Sequence, residues 1–205
     1  MKSSITLVFA TNNAHKFKEV CKILPDSFQL LNLKDIECYD DLPETGNTIK
    51  SNASQKAQYV HQKYGVNCFA DDTGLEVIAL NGQPGVYSAR YAGIHADASE
   101  NIQRLLREMK VINDRRATFR TCISFVLGDE EYFFEGHLEG SISIEPLGTG
   151  GFGYDSVFIP LGMDKTFAQL SEEEKNQISH RAIAVNKFVS FLSSDEFSKN
   201  LNLLF

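Results

Sequence analysis

The spacing of apolar positions changes along the chain from run to stripe to alternation, and each change predicts an element. Ile5 to Ala10 is a short apolar run, as expected of a strand covered on both faces. Asn13 then caps a predicted helix whose positions Phe17, Val20, Cys21 and Leu24 fall on one face. Phe28 to Leu33 reads as a second strand, followed by the acidic loop KDIECYDDLPETGN with turn residues Pro43, Gly46 and Asn47. Thr48 to Tyr64 is helical in period, with Gly65 as its stop. Val66 to Ala70 and Leu75 to Leu80 are two strand-like runs, the second closed by Asn81-Gly82. After Asp97, the residues Ile102, Leu105, Leu106 and Met109 make a helical stripe. Phe119, Thr121, Ile123, Phe125 and Leu127 alternate, and GDEE turns that strand back into YFFEGHLEG as a hairpin. Val157 to Ile159 is a last short run. Ser171 and Glu174 then have capping-box spacing at the head of one helical region that uses Ile178, Ala182, Val185, Val189 and Leu192. Strands mixed with helices predict an α/β or α+β fold. No repeat and no Pro/Gly/Ser linker divides residues 1–205, so a single domain is expected.

Hydrophobic residues at 42% and charged residues at 23% are ordinary globular usage, and 205 residues suffice for a sizeable core, which excludes disordered and fibrous classes. A formal net charge of −7 argues against nucleic acid as a partner, although a few lysines or a metal can still gather a small anion. Cys21, Cys38, Cys68 and Cys122 form no C-x-x-C pair and are expected as buried free thiols. The start, MKSSITLVFATNN, turns polar too soon for a signal peptide or a membrane span, so no membrane partner is expected and the cytoplasm is the expected compartment.

Within this frame the adjacent carboxylates Asp71 and Asp72, directly after an apolar run, predict a cation, since two such charges leaving a core would repel and lose solvation. A tight turn through Gly74, with Asp72 as its cap and Asp71 in solvent, explains the same D-D-T-G, so other residues have to decide. Lys56 shares the core-facing stripe of Ile49, Ala53 and Val60, with Asn52 one turn before it. A phosphate and a carboxylate would satisfy both polar groups, whereas snorkelling would satisfy the lysine alone. TNNAHK, Thr11 to Lys16, joins a strand to a helix start, where backbone N–H groups, a hydroxyl, an amide and a lysine make a phosphate site. GTGGFGYD, Gly148 to Asp155, contains G-x-G-x-x-G, but strand material follows it where a dinucleotide fingerprint needs a helix. The loop instead offers Phe152 and Tyr154 to a flat base, or else both are core aromatics beside a turn. In KNQISHR, Lys175 to Arg181, His180 stands between Ser179 and Arg181. No H-E-x-x-H, His/Cys zinc set or G-x-S-x-G elbow is present, and the available carboxylates favour Mg²⁺ over zinc.

Six motifs stand in one order: T-x-N-x-x-K at Thr11, Asn13 and Lys16; E-T-G at Glu44; A-D-D-T-G-L at Ala70 to Leu75; P-G-V-Y-S-A-R-Y-A-G at Pro84 to Gly93; G-T-G-G-F-G-Y-D at Gly148 to Asp155; and S-H-R at Ser179 to Arg181. Together they closely resemble the inosine triphosphate pyrophosphatase family, also called dITP/XTP pyrophosphatases. The match runs from about Ile5 to Leu192 and leaves residues 193–205 without an assigned role. The resemblance implies a mixed α/β fold, an elongated central sheet flanked by helices with two lobes around a nucleotide cleft, in a homodimer. It implies Mg²⁺-dependent hydrolysis of ITP, dITP and XTP to the monophosphate and pyrophosphate, which cleanses the nucleotide pool. By position it makes Asp72 the catalytic carboxylate and a metal ligand, with Glu44 the other ligand. Lys56 acts beside Asp72 and, with Thr11, Asn13 and Lys16, holds the triphosphate. Thr73 keeps the hydroxyl of the Ser that many members carry, while Ser156 replaces their Pro. Phe152, Gly153 and Tyr154 flank the base, Asp155 fixes its orientation, and Lys175, His180 and Arg181 read the 6-oxo edge.

Two other readings use parts of the same set. A Mg²⁺-dependent phosphatase with Asp71 as covalent nucleophile fits a strand followed by D-D-T-G, but makes no use of Gly148 to Asp155 or Ser179 to Arg181. A purine nucleotide sensor would use the same residues without turnover, and has no need of Glu44, Lys56 and Asp72 together.

Overall fold

The structure, a computed structural model, describes residues 5–195 and Phe197. Its elements run β1 (Ile5–Phe9), α1 (Ala14–Ile23), β2 (Phe28–Leu31), α2 (Ile49–Tyr64), β3 (Cys68–Val77), β4 (Pro84–Gly85), α3 (Ala98–Glu108), β5 (Arg116–Leu127), β6 (Glu130–Ile142), β7 (Phe158–Pro160), α4 (Glu172–Ile178) and α5 (His180–Leu192). The strands form a mixed sheet in the order β2-β1-β3-β5-β6-β7, with β4 paired to β3. Strand β1 runs parallel to both β2 and β3, whereas β4 is antiparallel to β3 and β7 to β6.

Two compact units divide the chain. The first takes in the chain up to Asp72, Cys122–Gly136 and the chain from Ala182 onward. Its strands are apolar at successive positions because both faces are covered. Leu7, Phe9, Phe69, Ile123, Phe125 and Leu127 pack with Val20 and Leu24 of α1 and with Val185, Phe188 and Leu192 of α5. The alternate positions Val8, Ala10, Cys68, Ala70 and Val126 pack with Ala57 and Val60 of α2. Phe9 and Phe69 are register partners, and their rings stack at 4.5 Å. The second unit is Thr73–Thr121 and His137–Arg181. Its own core gathers Leu75, Val77, Ile102, Leu105, Phe119, Phe158 and Phe167.

The helix starts follow the sequence. Asn13, Thr48, Asp97 and Ser171 each accept a first-turn N–H, and Gly65 ends α2 in the left-handed region at φ 65°. Four expectations need correction. The two runs Val66 to Ala70 and Leu75 to Leu80 are joined into one strand, β3, over Cys68–Val77, because Asp71 to Gly74 stays in the sheet rather than turning out of it, and Ile78–Leu80 is a 3₁₀ turn. The single helical region after Ser171 is two helices, broken at Ser179, whose ψ of 153° is extended. Strand β2 stops at Leu31, and a 3₁₀ turn capped by Asn32 takes Leu33–Ile36. Finally, Cys21 is exposed, unlike the buried Cys38, Cys68 and Cys122, since α1 turns its Val20 and not its Cys21 inward. Among the described residues no helix is long and apolar enough to cross a membrane.

Candidate active site

In the first unit the site begins where β1 ends. Ala10 N–H bonds Phe69 O at 2.7 Å, so the TNN loop leaves the sheet beside β3. Asn13 Oδ1 accepts the N–H groups of His15 and Lys16, and Thr11 Oγ1 accepts that of Asn13. This fixes Lys16 on the first turn of α1, where its Nζ lies 3.0 Å from Asp71 Oδ1.

Strand alternation separates the two aspartates. Asp71 shares the parity of Phe69, whose neighbours include α1, and meets Lys16. Asp72 shares that of Ala70, which packs with α2, and meets the polar residues of α2. Asn52 donates to Asp72 Oδ2 at 3.2 Å, and Lys56 Nζ lies 3.5 Å from Asp72 Oδ1. Lys56 also lies 2.5 Å from Glu44 Oε1. The D-D pair thus has cations on both sides, as the sequence required, each aspartate with its own lysine.

Electrostatics at this point are strongly coupled. Burial works against the Lys56 charge, but the carboxylates of Asp72, Glu44 and Asp71 outweigh it and hold the ammonium above the ordinary lysine value. Burial pushes the Asp72 carboxyl above the usual carboxylate range, against the pull of Lys56 and Lys16 and the Asn52 hydrogen bond, with Glu44 adding to the rise. Three carboxylates thus surround two lysines, which leaves room for further positive charge. Among the described residues no group of three or more His, Cys, Asp or Glu side chains forms a metal cluster. The Glu44 and Asp72 oxygens nevertheless face one cation, the Lys56 ammonium, and such a carboxylate pair suits a hard ion that takes its other ligands from water and phosphate. Asp71, 1% exposed and paired to Lys16, is poorly placed to attack a phosphorus atom as a covalent nucleophile.

The loop that carries Glu44 is held by α2. Gln55 Oε1 accepts the N–H of Thr45 at 2.9 Å and that of Gly46 at 3.2 Å. A Cβ on Gly46 would stand 2.1 Å from Ser51 Oγ, so only glycine lets this loop lie against the helix.

The second unit assembles a different chemistry. Asp155 Oδ2 accepts the Phe152 N–H at 2.8 Å and Lys175 Nζ at 2.6 Å, which closes the glycine loop on itself. A Cβ on Gly151 would meet that same oxygen at 2.0 Å. The Phe152 ring has Lys175 Nζ 4.8 Å and the Arg181 guanidinium 5.6 Å from its centroid. Arg181 is buried and donates to Thr73 Oγ1 at 3.1 Å, and Thr73 shares a 2.8 Å hydrogen bond with Thr121. His180 is stacked on Phe119 with centroids 4.4 Å apart. Tyr154 is buried beside Gly153, with its hydroxyl donating to Ser88 O at 3.0 Å.

The structure therefore gathers Thr11, Asn13, Lys16, Glu44, Lys56 and Asp72 in the first unit, and Thr73, Phe152 to Asp155, Lys175, His180 and Arg181 in the second. Gln55, Ser88 and Thr121 were missed. Asn52, singled out in the sequence one turn before Lys56 on a buried stripe, has a carboxylate partner in Asp72. Ser88 lay inside the P-G-V-Y-S motif, where its Oγ accepts Leu75 N–H and donates to Gly85 O. Gln55 and Thr121 look like ordinary helix and strand residues.

Fold and site define a mixed α/β protein with a carboxylate and ammonium centre suited to phosphate chemistry. A family model described as the Ham1 family matches residues 7–191. The chain belongs to that family. It is 50% identical to the dITP/XTP pyrophosphatase of Flavobacterium johnsoniae, over 92% of this chain and 98% of that one. It is 43% identical to the dITP/XTP pyrophosphatase of Bacillus subtilis, over 91% and 96%. The structure of the Staphylococcus aureus Ham1 protein superposes with a TM-score of 0.83 at 41% identity, covering 91% of this chain and 97% of that chain.

Proposed function

We propose that the chain hydrolyses the non-standard purine triphosphates dITP, XTP and ITP to the nucleoside monophosphate and pyrophosphate, with Mg²⁺, and so clears them from the nucleotide pool. Its enzyme class, a nucleoside triphosphate pyrophosphatase, is that of its relatives. The observation that carries the reading is the Lys56 ammonium between the carboxylates of Glu44 and Asp72.

Glu44 and Asp72 would hold the Mg²⁺ ion, which when bound would neutralise charge on the phosphates and make water more acidic. Lys16 and Lys56, with the Thr11 and Asn13 loop, bind phosphate oxygens and offset the negative charge that builds on the leaving pyrophosphate. Asp72 orients the water and accepts its proton. The water oxygen bonds to phosphorus as a phosphoanhydride P–O bond breaks, and the electron pair of that bond leaves with the pyrophosphate.

Phe152 offers a ring to the base, with Gly153 and Tyr154 supporting the loop and Asp155 fixing it. Lys175, His180 and Arg181 supply donors. Hypoxanthine and xanthine accept at O6, whereas adenine presents an amino group there and would leave buried donors unpaired. The reading includes a homodimer, supported by the ordered motifs, and a cytoplasmic location, supported by four free cysteines.

The test is a panel of nucleoside triphosphates with Mg²⁺, scored separately for pyrophosphate and free phosphate. Turnover of dITP, ITP and XTP well above ATP, with pyrophosphate as the first product, is expected. Equal turnover of ATP, or free phosphate as the first product, overturns the reading.

A further inference from the structure

Asn52 is 1% exposed, the fourth residue of α2, and a buried amide needs partners for both its ends. Gly46 N–H donates to its Oδ1 at 2.8 Å, and its Nδ2 donates to Asp72 Oδ2 at 3.2 Å. The orientation of the amide follows from chemistry, because a backbone N–H only donates and an ionised carboxylate only accepts. Asn52 therefore joins the loop of Glu44 to the strand of Asp72 through one planar group.

Two consequences follow for the centre. With Oδ2 of Asp72 tied to Asn52, its Oδ1 is left facing Lys56 at 3.5 Å. With Gly46 tied to the same amide, Glu44 two residues earlier is brought to that lysine from the other side. Gln55 anchors the loop as well, but reaches neither aspartate. Asn52 alone among these anchors touches both the loop and the carboxylate.

We infer that Asn52 is a positioning residue for the hydrolysis, setting the separation and rotation of the Glu44 and Asp72 carboxylates by bridging Gly46 N–H and Asp72 Oδ2. This rests on the proposed pyrophosphatase activity. Its physical basis, the two hydrogen bonds of the Asn52 amide, does not involve the residues proposed to hold the purine ring.

Asn52→Asp isolates the role. The shape is kept and the acceptor for Gly46 N–H remains, so the loop stays anchored, but the donor to Asp72 is replaced by a second anion. Wild type, Asn52→Asp and Asn52→Ala are compared by thermal unfolding, by kcat and KM with dITP, and by calorimetric affinity for a non-hydrolysable ITP analogue with EDTA or with Mg²⁺. The expected result is a kcat lower by about 10–100-fold in Asn52→Asp, the scale on which partners of metal-ligating groups act. KM stays within about threefold at a temperature below the lowered Tm that a second buried anion brings, and the gain in analogue affinity from Mg²⁺ changes. Should Asn52→Ala fail to fold, Asn52→Asp carries the test unaided. Full kcat in Asn52→Asp, or a loss that tracks Tm with an unchanged Mg²⁺ gain, overturns the assignment and leaves the functional reading standing. A wild type that turns over no purine triphosphate overturns both.

Discussion

Asp71 and Asp72 differ by one position and therefore by one face of a strand, and this sends them to different partners. Asp71 is neutralised by Lys16 from α1, and Asp72 is gripped by Asn52 and Lys56 from α2. The need for counter-charge was legible in the sequence, since two carboxylates among apolar residues cannot be left unpaired. Which aspartate took which lysine was not legible, because the D-D-T-G stretch reads as a turn when the strand partners that keep it extended are unknown. Under the proposed reading the proton-accepting role falls to Asp72, whose carboxylate lies beside Lys56. Asp72→Asn keeps the size and removes the base, and is expected to lower kcat for dITP by roughly 10²- to 10⁴-fold while near-UV circular dichroism stays unchanged. Full turnover in this variant would remove Asp72 from the chemistry. Gly46→Ala has a mechanical expectation instead: its Cβ would strike Ser51 Oγ, which can rotate, and also stand 2.9 Å from Ser51 Cβ, which cannot, so the loop shifts from α2 and carries Glu44 away from Lys56. The measurement is kcat, expected to fall with Tm only modestly affected.

Helix α2 is the element on which the first-unit site is built, and its limits were plain from the sequence. Thr48 accepts Ser51 N–H at 3.0 Å, the Ser51 hydroxyl accepts Thr48 N–H at 3.2 Å, and Gly65 closes the other end. Thr48→Ala is expected to cost about 1 kcal/mol by denaturant unfolding, the usual worth of such a cap. What α2 does to the acidic loop could not be read from spacing. Asp40, in that loop, accepts hydrogen bonds from Lys63 Nζ at 2.8 Å and Tyr64 OH at 2.6 Å at the far end of the helix, and its backbone carbonyl accepts from Asn12 Nδ2. These contacts join residues 23, 24 and 28 positions apart, and no local pattern encodes them. Donation from Lys63 first, then Tyr64, holds the Asp40 carboxyl down at about 2. A carboxylate depressed on folding contributes stability above its unfolded value, roughly 4, and loses it as pH falls through the folded value. The Tm difference between wild type and Asp40→Asn is therefore expected to be level from pH 7 to 5 and to close below about pH 4. A gap that persists unchanged to pH 2 would mean that the carboxylate charge is not what ties the loop down.

At the scale of the whole molecule, each of the two units has its own apolar core, and the chain passes from the first to the second after Asp72 and again after Gly136. Hydrophobic period alone led to the mixed fold, and the order of six motifs led to the family. The same period failed at Cys21, because it fixes the stripe of a helix but not where the stripe's edge meets solvent. Position 21 lies on that edge, beside the buried Val20. The four thiols test this placement together. Burial pushes Cys68 and Cys122 up to about 12, so at neutral pH they are protonated as well as enclosed. Cys38 is buried too, whereas Cys21 is exposed, with a smaller rise caused mainly by partial burial. An aromatic disulfide reagent is cleaved only by a thiolate that can reach and attack its sulfur. The native protein at pH 8 is therefore expected to release one equivalent of reporter thiol, absent in Cys21→Ser, and the remaining three only after denaturant is added. Release of more than one equivalent before unfolding would show that the faces holding Cys38, Cys68 or Cys122 open in the folded state, and that the packing of β3 against α2, on which the Asp72 site depends, is looser than its contacts require.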